Sequence, residues 1–255
     1  MFETFLTTYT TLKQKSVNYD FSIQMFSGTS SCYFPIEIQG EFMTQSMVDQ
    51  EIAYSAVSIL YNSIPGWGVC HKRHGARIIL RDKTVNGDTC FKCLIIAARS
   101  KNVIQIHTRD LYRCFNSEDD ALFSCPKVSD VAERKVNEIM LYKTRGFYGE
   151  SAVSEVLCPI NGKWRFTYTN RGDEESSCSS PASRAGDCPT GYKFELQFRG
   201  CSFPDKEMHF KCMGDWKGED GQQYLALLDT KLPQLGEEIR PRYRCAVSLT
   251  FHSVL

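Results

Sequence analysis

Twelve cysteines in 255 residues constrain this chain more than any other feature. They fall as Cys32, Cys70, Cys90, Cys93, Cys114 and Cys125, then, after a cysteine-free stretch over 126–157, as Cys158, Cys178, Cys188, Cys201, Cys212 and Cys245. A reducing compartment rarely carries so many thiols without a metal or redox use, and an even number suits a disulfide framework. Two sets of six point to two units of ordinary domain size. The expected organisation is a poorly ordered leader over 1–31, a first Cys-rich β domain over 32–127, a linker over 128–156 and a second Cys-rich β domain over 157–250.

Within both units the apolar residues recur with a period of two, the mark of strands with one buried face. In the second unit Ile160, Gly162, Trp164, Phe166 and Tyr168 share a face. So do Tyr192, Phe194, Leu196 and Phe198, then Met208, Phe210 and Cys212, then Tyr243, Cys245, Val247, Leu249 and Phe251, with a further strand over 222–229. Cys212 and Cys245 both point inward on this reading, which suggests a bridge between them. In the first unit Phe34, Ile36, Ile38, Gly40 and Phe42 alternate, as do Phe91, Cys93, Ile95 and Ala97, with further strands over 52–60, 76–81 and 102–108. In the linker Val128, Ala132, Val136 and Ile139/Met140 recur at helical spacing behind Ser129 and Asp130, so one short helix is expected there. The fold class is therefore all-β: two small disulfide-stabilised antiparallel meanders or barrels. Gly40-Glu41-Phe42 and Gly162-Lys163-Trp164, each opening a strand, resemble the start of lipocalin-type barrels.

Cys90-Phe91-Lys92-Cys93 is the sharpest local pattern, since thiols three apart can grip one metal ion. On a strand, however, positions i and i+3 face opposite ways. Zinc held by Cys70, His74, Cys90 and Cys93 is the alternative to disulfides, and it leaves most of the cysteines without a role. The Arg171-Gly172-Asp173 triplet lies in a long Ser/Gly/Pro-rich connection between strands and reads as a solvated turn. The basic and aromatic strand Lys163 to Tyr168 reads as core rather than as a platform for stacked bases.

Charge narrows the partners further. Thirty Lys and Arg balance thirty Asp and Glu, so no surplus of cations is available to release counterions from a nucleic acid. No apolar run approaches the roughly 18 to 20 residues that cross a bilayer. Motifs for zinc peptidases, serine hydrolases, phosphate loops and dinucleotide folds are missing, so no enzyme and no cofactor is expected and no catalytic residue is assigned. Residues 1–31 lack a basic segment followed by an apolar core. The cysteines nevertheless ask for an oxidising compartment, and a longer transcript encoding a signal peptide upstream of Cys32 is the expectation.

Cys32-Tyr33-Phe34-Pro35 with Gly40-Glu41-Phe42, then Gly68-Val69-Cys70, Cys90 to Cys93 and Asn102-Val103-Ile104-Gln105, resembles the first module of a group of invertebrate, especially arthropod, proteins. These are classed only as tandem cysteine-rich domains of unknown function. Leu157 to Tyr168, Phe198 to Phe203 and Cys212 to Trp216 are similar to the module that follows. The resemblance implies a secreted or membrane-anchored ectodomain and brings no activity with it. The expected role is an extracellular interaction module for an unknown protein partner. The alternatives are a lipocalin-like carrier of a small apolar ligand, and an intracellular zinc-binding protein.

Overall fold

The computed structural model describes residues 32–49, 51–133, 135–146, 153–160, 162–168, 178–187, 189–200, 204–218, 221–231 and 241–248. The chain is almost entirely β, arranged as two antiparallel sheets. The first sheet contains β1 (Gly40–Val48), β2 (Glu51–Ile59), β3 (Ser63–Ile64), β4 (Gly68–His74), β5 (Arg77–Lys83), β6 (Thr89–Ala98), β7 (Val103–Thr108) and β8 (Asn137–Arg145), in the order β2-β1-β8-β7-β6-β5-β4-β3. Between β7 and β8 lie two short helices, α1 (Glu118–Phe123) and α2 (Val128–Ala132). The second sheet runs β14-β13-β12-β11-β10-β9, made of β9 (Lys163–Tyr168), β10 (Cys178–Gly186), β11 (Lys193–Phe198), β12 (Lys206–Lys217), β13 (Gln223–Asp229) and β14 (Tyr243–Ser248).

The first sheet curls into a half-barrel. Its concave side is filled by Phe34, Phe42, Ile59, Leu80, Ile106 and Leu141, among others, all buried. This side is a packed core. Gly40 opens β1 at φ +146, where an added Cβ would stand 2.9 Å from the Arg145 carbonyl oxygen. The Gly-x-Phe opening thus allows β1 to close tightly on β8.

Three local expectations change. Ile36 to Ile38 is a 3-10 turn entered through Pro35, not the start of a strand, since proline fixes its own φ and gives no ladder N–H. The helix expected as far as Met140 stops at Ala132, and 137–145 forms β8, in the middle of the first sheet between β1 and β7. A strand covered on both faces loses its alternation. Leu141 enters the concave core, while Met140 and Tyr142 face the second sheet. Third, the Cys212–Cys245 bridge does not form: Cys212 bonds Cys158, and Cys245 is a free thiol.

The two sheets meet through Val103, Tyr142, Met213, Ala226 and Tyr243, with Trp216 and Leu228 packed beside them. Tyr142 and Tyr243 stack with ring centroids 4.2 Å apart. Asn102 and Ser100 make polar bonds across this junction. Buried Asn102 donates through Nδ2 to the carbonyls of Ser154 (2.9 Å) and Met213 (3.2 Å), and its Oδ1 accepts from Ser154 N–H at 3.0 Å. Ser100 Oγ donates to the same Met213 carbonyl at 2.8 Å. A bulge at Cys212/Gly214 turns Met213 toward the first sheet. Beside it, a Cβ on Gly214 (φ +154) would fall 2.2 Å from both Cβ and Oγ of Ser100.

Gly214→Ala therefore breaks the junction twice, by overlap and by backbone strain. We expect a loss of about 2 kcal/mol or more in chemical denaturation, with Gly221→Ala, where nothing lies within 4 Å, as the control for strain alone.

Candidate binding face

The segment 109–127 leaves β7 and folds over the outer side of β6. Asp110 Oδ1 accepts from the N–H groups of Tyr112 (2.9 Å) and Arg113 (3.3 Å), making a side-chain turn. Phe115 then pairs with Phe91 in both directions, at 2.7 and 2.8 Å. This occurs where β6 lacks its β7 neighbour, since the β6–β7 ladder spans only Ile95 to Ala98. Ser117 caps α1, its Oγ accepting from Asp120 N–H at 3.1 Å. Glu118, Asp119 and Asp120 place negative charge in the first turn, where the helix dipole favours it.

Two disulfides, Cys90–Cys114 and Cys93–Cys125, tie both ends of this cap to one strand. The Cys90-x-x-Cys93 spacing sends one sulfur to each face of β6, so the pair serves two bridges rather than one metal. Cys93 and Cys125 are buried with Ile79 and Phe91. A third clasp is ionic: Glu118 accepts from Lys72 Nζ (2.5 Å) and pairs with His71 Nε2 (3.0 Å). The Lys72 hydrogen bond, then that of His71, holds the Glu118 carboxyl below the usual carboxylate range.

This frame displays aromatic surface instead of hiding it. Phe123 at the end of α1 is 85% exposed and Tyr112 is 91% exposed. Phe123 is the wall between two clefts. The larger, about 590 Å³, is lined by Arg109, Asp110, Arg113, Phe115 and Asp120, and the smaller, about 330 Å³, by Arg77, Asp119, Leu122 and Lys127. The carboxylates here are mostly engaged: Asp110 in its turn, Asp120 with Ser117, and Asp130 with Arg109 at 2.7 Å and Lys127 N–H at 3.0 Å. Arg113 lies over the Phe115 ring at 4.9 Å. Among the described residues Arg113, Arg77 and Lys127 make no ion pair.

The remaining cysteines are distributed as follows. Cys32 bonds Cys70, and Cys158 bonds Cys212, so among the described residues three bridges close within the first half of the chain, one closes within the second, and none joins the two. The side chains of Cys178, Cys188 and Cys201, and the Arg171-Gly172-Asp173 triplet, lie outside the described residues. The zinc alternative is overturned: the sulfurs of Cys70, Cys90 and Cys93 are each in a disulfide, His74 ends β4, and no metal-holding cluster occurs among the described residues. Cys245 meets solvent at one side, yet packing around its sulfur dominates. Desolvation first, and the Glu138 carboxylate second, push its thiol from an ordinary 9.0 up to about 11.

Residues 30–130 match the family model of a domain of unknown function, DUF7044, and residues 154–252 match that of another, DUF7042. The chain carries two domains of unknown function in tandem. The cap belongs to the DUF7044 stretch, whereas β8 lies between the two matches while completing the first sheet. No curated protein and no solved structure matches the chain. Sequence reasoning missed Tyr112 and Phe123. The available signal was a pair of apolar residues, Leu122-Phe123, following the capped acidic run Ser117 to Asp120, inside a loop bounded by Cys114 and Cys125.

Replacing Cys93 and Cys125 together by serine removes a bridge of sequence separation 32. We expect a loss of about 3 kcal/mol and faster proteolysis within 109–127. For Cys245 the folded state holds the thiol proton more tightly than the unfolded one. Its contribution to stability is full below pH 9 and is lost as pH rises through about 11. Native alkylation at pH 8 should be slower than in denaturant and should accelerate toward pH 11.

Proposed function

We propose that the chain is an extracellular interaction module that binds a protein partner through the cap over β6, and that it acts by binding rather than catalysis. Four disulfides fit an oxidising environment, and no helix among the described residues is long and apolar enough to cross a membrane. The observation that carries the proposal is Phe123, a large apolar side chain presented on a doubly disulfide-pinned support. Exposing it costs the free chain solvation, and pinning it in advance removes ordering entropy from association. Interface hot spots are of this kind, aromatic or arginine anchors that fill a partner's pocket. The matching surface offers an apolar pocket for Phe123 and carboxylates for Arg113, Arg77 and Lys127.

The test displays the oxidised chain against a panel of recombinant ectodomains. A partner captured by the wild type should bind Phe123→Ala about thirtyfold more weakly. Arg113→Glu should chiefly slow association, with a reduced dependence on salt. A partner whose affinity both variants leave unchanged refutes this face as the site.

A further inference from the structure

Residues directly opposite one another in a sheet lie side by side on one face, and like charges in that position repel. The second sheet holds two such pairs on the same face, Arg165↔Arg184 between β9 and β10 and Lys193↔Lys211 between β11 and β12. This face is the reverse of the Phe166, Phe194 and Phe210 core. Its β13 part, at Leu228, packs against the first sheet, whereas Arg165, Arg184 and Lys193 are exposed. The chain as a whole carries equal numbers of cations and carboxylates, so the surplus is local.

Protection of the sheet edge accounts for part of this charge only. Lys163 and Arg165 lie on the outermost strand, where charge discourages pairing with another chain, but Arg184 and Lys193 lie on interior strands. A Cβ on Gly186 would stand 3.2 Å from Lys163 Cγ, so the stem of Lys163 leans inward across β10 rather than out along the edge. The carboxylates of the face are engaged: Glu195 pairs with His209 Nδ1 at 3.3 Å, and Glu207 pairs with Arg199 and, at 3.8 Å, with His209 Nε2. Among the described residues Lys163, Arg165, Arg184 and Lys193 make no ion pair. Lys193 Nζ lies 5.7 Å from the Tyr192 ring centre, and Lys211 Nζ donates to the Val153 carbonyl at 3.4 Å.

The register sets these cations on a diagonal. Arg165 and Arg184 share one row, Lys163 opposite Gly186 begins the next, and Lys193 and Lys211 share the third. With strands 4.8 Å apart and alternate residues nearly 7 Å apart, the track is about 20 Å long. We propose that it binds a sulfated polysaccharide chain. Sulfate oxygens accept from a guanidinium fork, and an anion seated between Arg165 and Arg184 converts their repulsion into attraction that both share. The ligand class follows from the rest of the face. Outside the junction it has no apolar side chain to sink among lipids and no ring on which a base can stack, whereas Thr167, Gln197 and Gly186 give a flat, hydrogen-bonding ground suited to sugar hydroxyls. Only the extracellular setting is shared with the cap over β6, and Phe123 plays no part.

Binding of the oxidised full chain to an immobilised heparin oligosaccharide, followed by surface plasmon resonance at stepped salt, tests this. The wild type should bind with an affinity that falls as salt rises, and the desulfated oligosaccharide should not be bound. Arg184→Glu sets a carboxylate opposite Arg165. It should weaken binding at least about tenfold while the urea midpoint stays level or rises, because a repelling pair becomes an attracting one. Arg165→Gln with Lys193→Gln should weaken binding to a similar degree. Arg81→Gln with Lys83→Gln, which removes two exposed charges from the first sheet, and Phe123→Ala should bind as the wild type does. A wild type that ignores the oligosaccharide at physiological salt, binding that survives Arg184→Glu, a lowered midpoint in that variant, or an equal loss through Arg81→Gln with Lys83→Gln overturns the proposal. So does equal or tighter binding to the desulfated chain, to phosphatidylserine vesicles or to a single-stranded DNA oligonucleotide.

Discussion

Burial of β7 and β8 on both faces is the constraint that organises this molecule. A curled sheet of this size has one face for its own core. Its other face must be covered or left wet. Here Ile104, Ile106 and Leu141 fill the concave side, while Val103 and Tyr142 on the same two strands meet Met213, Ala226 and Tyr243 of the second sheet. The second sheet likewise has two cores, one of Phe166, Phe194, Phe210 and Leu227, the other shared with its neighbour. The outer face of β7 and β8 thus doubles as a floor for the second domain. The chain around residue 100, where Asn102 and Ser100 capture the Met213 carbonyl, sets the register between them.

The disulfides act outside that shared layer. Three of them fasten the periphery of the first sheet: Cys32–Cys70 holds the entering chain, and Cys90–Cys114 and Cys93–Cys125 hold the cap. Cys158–Cys212 does the same for the second sheet, joining the segment before β9 to β12. Hydrophobic packing builds the centre and covalent bonds fix the rims. A rim held this firmly can expose an aromatic residue without that residue folding back onto the body, which gives Phe123 and Tyr112 their setting.

Much of this architecture is legible in the residues. The period-two faces around Phe166, Phe194 and Phe210 mark β9, β11 and β12, because each has one apolar face and one polar face. β8 escapes the same test for the opposite reason: Ile139 to Tyr142 is apolar on both sides, and a short unbroken apolar run fits a helix as well as a strand. Phe34 to Ile38 alternates by composition, yet Pro35 forces a turn. Cys245 looks like a partner for Cys212 because the alternation puts both on inward faces. The bulge at Cys212/Gly214 changes the phase of β12, and Tyr243 and Cys245 look instead toward the first sheet. The binding face is the least legible part, since Phe123 gains its meaning from bridges whose pairing the spacing of cysteines leaves open.

The position of β8 has a bearing on how this protein can be cut. Its residues fall after the first domain match ends at 130 and before the second begins at 154, so a fragment trimmed to either boundary loses the central rung of the first sheet. A first-domain fragment ending at 130 would leave β1 paired to β2 alone and bare Val103 to water. The practical unit for expression, crystallisation or inheritance is the pair, joined by a strand that neither sequence family claims.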